Sequence, residues 1–234
     1  MTDPAVSDDL AARLAEIDAR IADAARASGR DPGELTRIVV TKFHPATLVA
    51  RLAALGVTDV GENRQQELTA KATALADTDL RWHFIGQAQT NKARAVRESA
   101  SVVHSIDRAR VADAFDRAGS EGAPPLDVLI QVNLTADPGR GGVAPDDLEQ
   151  LAAHVVERCG TLRLRGIMAV APLDEDPAAA FARVHGYAER LRRIAPDATW
   201  ISAGMTGDFA EAIAAGATHL RIGSAITGPR PDHG

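Results

Sequence analysis

Eight short β-type runs alternate with helical stretches along this chain, and the alternation restricts its fold more than any other feature. Such alternation is typical of parallel strands joined by crossover helices. Eight units in 234 residues predict a closed (β/α)8 barrel of the TIM type, a fold that takes about 250 residues. An open, doubly wound sheet is the alternative, and the regular repetition at this length favours closure. The predicted strands cover residues 37–42, 58–63, 81–86, 101–107, 126–133, 163–170, 199–204 and 219–224.

One extra helix is predicted before the first strand, with Ser7 as its N-cap and Gly29 as its stop. Its apolar residues share one helical face: Leu10, Leu14, Ile17 and Ile21. The segment carries acids where a secretory signal would be basic, and no stretch approaches the roughly 18 apolar residues of a membrane span. Since no linker or shift in composition interrupts the chain, residues 1–234 are expected to form a single domain with a core at about 10–230.

Composition restricts the possible partners. A net charge of −6 argues against nucleic acid, whose phosphate backbone selects clustered positive charge. The single cysteine, Cys159, excludes an internal disulfide framework and fits a reducing compartment, so we expect a cytoplasmic protein without membrane contact. His83, His104 and His219 have no second histidine at ligand spacing, which argues against a metal site. With one predicted domain, a monomer is expected.

Polar residues at the predicted strand ends are the candidates for chemistry. Active sites of barrels lie where the strands end and run into the following loops. Each residue alone is weak support for a site, because loops are polar in general. The candidates are Lys42, Glu62, Asn63, Gln87, Gln89, His104, Ser105, Asp107, Asn133, Ser202, Thr206, Arg221 and Ser224.

The loops after the last two predicted strands have the composition of a phosphate site. They read SAGMTGDFAEAI (202–213) and RIGSAITGPR (221–230), and barrels often bind phosphate in these two loops and at a helix N-terminus. Ser202, Thr206 and Ser224 offer hydroxyl groups, whereas Gly204 and Gly223 let the backbone approach closely. The alternative is that these glycines only form turns and helix caps. No Walker-type motif is present, which argues against a nucleoside triphosphate.

Lys42 ends the first predicted strand, in RIVVTKFHP (37–45), and so faces these loops across the barrel mouth. Among apolar neighbours an ammonium loses hydration, which favours the neutral, nucleophilic amine. A carbonyl compound with a phosphate would be held by the loops and joined to Lys42 as a Schiff base. Pyridoxal phosphate and sugar-phosphate aldehydes both fit this description. The alternative is an ion pair of Lys42 with Glu62 or Asp107.

Eight motifs in order carry a family resemblance: VTKFHP (40–45), VGENRQQE (60–67), WHFIGQAQTNKA (82–93), VHSID (103–107), LIQVN (129–133), GIMAV (166–170), SAGMTGDFAEAI (202–213) and RIGSAITGPR (221–230). Over about residues 10–230 the chain resembles the pyridoxal phosphate homeostasis protein family, which is related to the barrel domain of alanine racemases. The resemblance implies that pyridoxal 5'-phosphate is the cofactor and that Lys42 holds it as a Schiff base. It also implies Asn63 near the ring and Arg221 at the pyridine nitrogen. The implied phosphate-binding residues are Ser202, Thr206, Gly223 and Ser224.

The resemblance further implies a protein that stores, buffers or delivers pyridoxal phosphate, with the apo-enzymes that receive it as partners and no catalytic residue of its own. A racemase-like enzyme that uses the same Schiff base is the alternative, and an aldolase-like enzyme is disfavoured. Two-base racemisation needs a second proton-transfer group, which a tyrosine from an additional domain supplies in the racemases. The only tyrosine here, Tyr187, lies in a predicted helix. Arg221 stays protonated and cannot accept a proton, which weakens carbanion stabilisation but would still allow racemisation, because alanine racemases also use an arginine. It is the missing second proton-transfer group that leads us to expect slow or no turnover of amino acids.

Overall fold

The computed structural model describes residues 4–120 and 122–230. Eight parallel strands pair in chain order, and the last pairs with the first, so that the sheet closes into a barrel. The strands are β1 (Thr36–Val40), β2 (Asp59–Glu62), β3 (Arg81–Phe84), β4 (Val102–Ile106), β5 (Leu126–Gln131), β6 (Leu162–Met168), β7 (Trp200–Ser202) and β8 (His219–Ile222). The predicted (β/α)8 barrel is confirmed.

Helices connect successive strands around the barrel and bury their apolar residues against it. One helix precedes β1, one follows β8, and the others are crossovers: α1 (Pro4–Ala27), α2 (Ala46–Ala54), α3 (Gln65–Ala74), α4 (Ala93–Ser99), α5 (Ala109–Arg117), α6 (Leu148–Arg158), α7 (Pro177–Arg192), α8 (Phe209–Ala214) and α9 (Ser224–Thr227). None of the helices within the described ranges combines the length and the hydropathy that a membrane span requires.

The extra helix α1 packs against α8 and α9. Its predicted apolar face is buried: Leu10, Leu14, Ile17 and Ile21. Gly29 ends the helical segment as predicted, with a φ of 68°, and the amide of Arg30 donates to the carbonyl of Ala25. The predicted N-cap is wrong. Ser7 lies inside α1, whose described residues start at Pro4.

The strands end earlier than the sequence predicted. β1 stops at Val40, so that Lys42 lies in the loop that follows. Asn63 comes after β2, and Gly223 comes after β8. These residues still lie at the carboxyl edge of the barrel, because each follows its strand by one or two positions.

The barrel interior contains polar side chains in addition to the branched apolar residues that usually fill it. Five of them are buried: His83, His104, Ser202, His219 and Arg221. The ring centroids of His83 and His104 lie 5.1 Å apart, and those of His83 and His219 lie 6.4 Å apart. Histidines that are isolated in the sequence are therefore neighbours in the fold.

Candidate functional site

A cavity of about 390 Å³ opens at the carboxyl ends of β1 and β8, and its size is ordinary for a small-molecule site. We call it the mouth cavity. It brings together five of the seven predicted site residues: Lys42, Thr206, Arg221, Gly223 and Ser224. The site therefore lies where parallel barrels place their active sites.

The lining of the mouth cavity is cationic, although the whole chain carries a net charge of −6. Lys42, Arg221 and Arg230 contribute positive charge, and none of the residues that line the cavity is Asp or Glu. His44 also lines it, and burial, followed by the positive charge of Lys71, lowers the pKa of this imidazole. Because like-signed groups converge there, the mouth cavity favours an anionic ligand.

The loops after β7 and β8 form one wall of the mouth cavity. Thr206 and Ser224 bring hydroxyl groups to this wall, and Gly223 precedes the one-turn helix α9. The first amides of a helix have no intrahelical acceptor. In α9 the amides of Ile226 and Thr227 donate to the carbonyl of Gly223, whereas those of Ser224 and Ala225 have no acceptor in the described chain. Gly204 supports the wall without lining it. Its φ is 90°, and a Cβ there would lie 2.7 Å from Cβ of Ala212.

Lys42 lies across the cavity from these loops. It is half-buried, less than the sequence predicted. The alternative ion pairs with Glu62 and Asp107 are wrong, because Glu62 lies 2.6 Å from Nζ of Lys71 and Asp107 lies 2.7 Å from Arg108. In the part of the chain that the structure describes, no carboxylate lies within ion-pair distance of Lys42, and the residue lines the mouth cavity.

A second lysine fixes the backbone just before Lys42. Lys71 is buried on α3, and its Nζ donates to the carbonyl of Thr41 at 2.9 Å as well as to Glu62. The Thr41 hydroxyl donates to the same Glu62 oxygen at 2.6 Å. Burial raises the pKa of Glu62, and the hydrogen bonds from Lys71 and Thr41 oppose this rise. The Lys42 loop is thus tied to a buried ion pair.

The residue just after Lys42 has an unusual backbone. Phe43 has a φ of 70° and is the one non-glycine residue with positive φ in the described ranges, a conformation that is strained for a bulky side chain. Its amide donates to Oε2 of Glu67 at 2.8 Å. The guanidinium groups of Arg64 and Arg230 lie 4.8 and 4.1 Å from the ring centroid, within cation–π distance. These contacts hold Phe43 in place and so orient Lys42.

Arg221 forms the floor of the mouth cavity and is held on three sides. Its NH1 donates to the carbonyl and to Oγ of Ser202, both at 2.7 Å, and its NH2 donates to the carbonyl of Ala169 at 2.9 Å. Burial lowers the pKa of Arg221 to about 10, so the group remains charged at neutral pH. No described residue accepts from its Nε, which leaves a donor for a ligand.

Two of the predicted residues do not line the mouth cavity. Ser202 is fully buried beneath it, where its hydroxyl contacts His104 and Arg221. Asn63 is half-buried, and its Oδ1 has no hydrogen-bond partner in the described chain. A strand-end position predicted the right edge of the barrel for both residues, but it does not determine how deep a side chain lies.

Nine further residues line the mouth cavity, and four of them have aromatic, charged or thioether side chains that sequence reasoning did not assign to the site: Phe43, His44, Met205 and Arg230. Three of these four lie within two positions of Lys42 or Thr206 in the sequence, so proximity to those residues was an available signal. Arg230 comes after α9, and no strand or helix pattern marks it. It reaches the site by covering the ring of Phe43.

Comparison with known proteins places this geometry in a family. The model of the alanine racemase N-terminal domain matches residues 13–231. The pyridoxal phosphate homeostasis protein of Pseudomonas aeruginosa is 41% identical over 229 residues, covering 96% of this chain and 97% of the relative. The chain belongs to the pyridoxal phosphate homeostasis protein family.

Solved structures agree with the family. PipY of Synechococcus elongatus PCC7942, solved with PLP bound, is 34% identical with a TM-score of 0.79, and the match covers 94% of this chain and all of PipY (100%). Alanine racemase of Corynebacterium glutamicum is 16% identical with a TM-score of 0.67, covering 97% of this chain and 62% of the racemase. At that identity the racemase shares the fold alone. The match to the family model includes every residue that lines the mouth cavity.

Proposed function

We propose that this protein binds pyridoxal 5'-phosphate in the mouth cavity and stores, buffers or delivers it, without rapid turnover of its own. The observation that carries the proposal is the pairing of an amine with an anion-binding wall across one cationic cavity. Lys42 supplies the amine, and Thr206 and Ser224 supply the wall. Membership of the homeostasis family and the PLP-bound structure of PipY support the same ligand.

The residues present fit this cofactor. Pyridoxal phosphate supplies an aldehyde, a phosphate and an electron-withdrawing ring when it is bound. The Lys42 amine would form the Schiff base with the aldehyde. The hydroxyls of Thr206 and Ser224 and the backbone amides of Ser224 and Ala225 would hold the phosphate, next to Gly223, which leaves the approach open. Nε of Arg221 would donate to the ring nitrogen.

We favour a carrier over the racemase-like alternative because of the groups that can move a proton in the cavity. Arg221 would meet the ring nitrogen as a donor, and arginine cannot give the nitrogen a full proton as a carboxylic acid can, which weakens carbanion stabilisation without by itself excluding racemisation. Racemisation also needs a second group that can move a proton. Apart from Lys42 and the two arginines, His44 is the one titratable residue that lines the cavity, and it lies in the same loop as Lys42. Tyr187 lies on α7 and does not line the cavity.

Borohydride reduction tests the linkage to Lys42. The chain has three lysines, Lys42, Lys71 and Lys92, so peptide mapping after reduction of the loaded protein has three outcomes. The pyridoxyl group should appear on Lys42, and the visible absorbance of the loaded protein should disappear in Lys42→Ala but remain in Lys92→Ala. Modification of Lys71 or Lys92 instead would contradict the assignment.

Transfer to a second protein tests delivery. The loaded protein is mixed with the apo-form of a pyridoxal phosphate enzyme, and an excess of a protein that traps free cofactor is added. Recovery of enzyme activity despite the trap supports direct delivery, whereas recovery that the trap abolishes supports storage and release. The single-domain organisation, the cytoplasmic location and the monomeric state stay predictions from the sequence.

A further inference from the structure

Five buried or half-buried side chains form an unbroken line of hydrogen bonds through the barrel interior. Oδ1 of Asp59 lies 2.8 Å from Nε2 of His83, and Nδ1 of His83 lies 2.9 Å from Nε2 of His104. Nδ1 of His104 lies 2.9 Å from Oγ of Ser202, to which Arg221 donates at 2.7 Å. We call these five residues the histidine chain. It begins at the first residue of β2, at the amino end of the barrel, and ends at the mouth cavity.

The direction of these hydrogen bonds follows from the Arg221 end. A guanidinium only donates, so Oγ of Ser202 accepts from it. The Ser202 hydroxyl hydrogen has one remaining partner in the described chain, Nδ1 of His104. A neutral imidazole that accepts at Nδ1 carries its hydrogen on Nε2, and His104 must therefore donate to His83.

The Asp59 end requires the same direction. Burial raises the pKa of Asp59, but hydrogen bonds from His83 and the Thr58 hydroxyl together with nearby positive charge outweigh it, so that the pKa is lowered overall. The carboxylate is therefore ionised and only accepts. His83 must donate to it from Nε2, which leaves Nδ1 of His83 as an acceptor for His104. Both ends of the histidine chain thus select one arrangement, with both imidazoles in the Nε2–H form.

The surroundings keep the two imidazoles neutral. His104 is fully buried, and burial, followed by the neighbouring His83 and by the positive charge of Arg221, lowers its pKa well below the ordinary value. Burial also lowers the pKa of His83, although Asp59 opposes this. His219, the third buried histidine of the barrel interior, stands outside the line. Its Nδ1 lies 2.8 Å from Oγ of Thr218, and burial lowers its pKa to about 3.

We propose that the histidine chain is a positioning element. Its first four residues lock the fifth, Arg221, in one orientation, so that Arg221 presents its free N–H to the ring nitrogen of the bound cofactor. Because Arg221 cannot accept a proton, the line has one stable direction and serves to order the site instead of conducting protons. His83, His104 and Ser202 are positioning residues that act through Arg221. The cofactor half of this proposal rests on the proposed function, whereas the direction of the hydrogen bonds does not.

Nitrogen NMR of the ring atoms tests the direction in the protein without cofactor. Long-range ¹H–¹⁵N spectra of ¹⁵N-histidine-labelled protein should show both His83 and His104 as neutral Nε2–H tautomers at pH 7. In Ser202→Ala the signals of His104 should shift or split, because its Nδ1 loses its donor, while those of His219 stay unchanged. An Nδ1–H tautomer or an imidazolium at either position would overturn the proposal.

Ser105→Ala is a matched control for Ser202→Ala. Ser105 is buried beside His104 on β4, and its Oγ has no hydrogen-bond partner in the described chain. The same hydroxyl deletion therefore leaves the histidine chain intact and should leave its ring signals unchanged. If Ser202→Ala does not fold, the tautomers of the wild-type protein still decide the direction.

A cofactor analogue tests the effect on the ring nitrogen. Binding of pyridoxal phosphate is compared by equilibrium dialysis with that of its analogue in which a C–H group replaces the ring nitrogen. The wild type and Ser105→Ala should prefer pyridoxal phosphate by roughly tenfold or more, the worth of a hydrogen bond from a charged donor. In Ser202→Ala the preference should fall to about threefold or less. An unchanged preference would refute the positioning role, and failure of both ligands to bind would refute the proposed function instead.

Discussion

Replacement of Lys71 by methionine measures how strongly the loop of Lys42 is anchored. The change removes the ammonium that lies 2.6 Å from Glu62, whose side chain is 0% exposed. The folded variant can avoid a bare buried charge by protonating Glu62, which at pH 7 costs about 3 kcal/mol for a carboxyl with an ordinary pKa of 4.5. Loss of the hydrogen bond to Thr41 adds about 1 kcal/mol. We expect a total of about 3–5 kcal/mol, which is also the usual effect of breaking a buried ion pair.

The loss of stability should depend on pH in one direction. Burial already raises the pKa of Glu62, and removal of Lys71 raises it further. A carboxyl whose pKa is higher in the folded state than in the unfolded state favours folding at low pH, and this contribution is lost as pH rises through the range between the two pKa values. The loss of unfolding free energy in Lys71→Met, relative to the wild type, should therefore be about 2–3 kcal/mol smaller at pH 5 than at pH 7.

Urea denaturation at both pH values, followed by the fluorescence of Trp82 and Trp200, gives these free energies. The melting temperature should fall by roughly 6–20 °C at pH 7. Lys92→Met is the control, since Lys92 is half-buried and has no ion pair in the described ranges. It should change stability by no more than about 0.5 kcal/mol. Adding Glu62→Gln to Lys71→Met should remove the pH dependence. A deficit below about 1 kcal/mol, or an equal deficit at both pH values, would refute the reasoning.

Three further predictions concern the cofactor and the backbone. Pyridoxal without its phosphate should bind at least about 100-fold more weakly by equilibrium dialysis, because each charge-assisted hydrogen bond contributes roughly 1.5–3 kcal/mol; equal affinities would show that the phosphate wall is misassigned. Incubation of the loaded protein with L-alanine in deuterated water should give no rapid α-proton exchange by NMR, and rapid exchange that requires Lys42 would favour a racemase-like enzyme. Gly86→Ala should destabilise the fold severely in thermal melts, since its Cβ would lie 1.9 Å from the carbonyl oxygen of Asn63, whereas Gly186→Ala, with open space around it, should not.

The sequence predicted the barrel and the side of the barrel that carries the site, because both follow from local patterns. Strand periodicity places Lys42, Thr206 and Ser224 at carboxyl ends, and barrel closure then brings those ends together. The same reasoning placed Ser202 in the phosphate site, although it lies one layer deeper. A strand end fixes the edge of the barrel for a residue but not its depth, which depends on register and on tilt.

Pairings between side chains distant in the sequence were beyond prediction. Glu62 was a candidate partner of Lys42, and the choice of Lys71 instead depends on how α3 packs behind β2. His83 and His104 were interpreted as isolated, because their contact requires β3 and β4 to lie side by side in a known register. The positive φ of Phe43 has no signal in VTKFHP either, since nothing local favours that conformation for phenylalanine.

Phe43 has a consequence for any attempt to make this protein more robust. A left-handed backbone costs a bulky residue about 1 kcal/mol or more that glycine or asparagine would not lose. A selection for heat resistance alone would therefore tend to accept glycine or asparagine at position 43. That change would remove the ring that Arg64 and Arg230 cover. The mouth cavity would then lose the side chain of Phe43 from its lining. At position 43, thermal stability and retention of the proposed ligand therefore favour different residues.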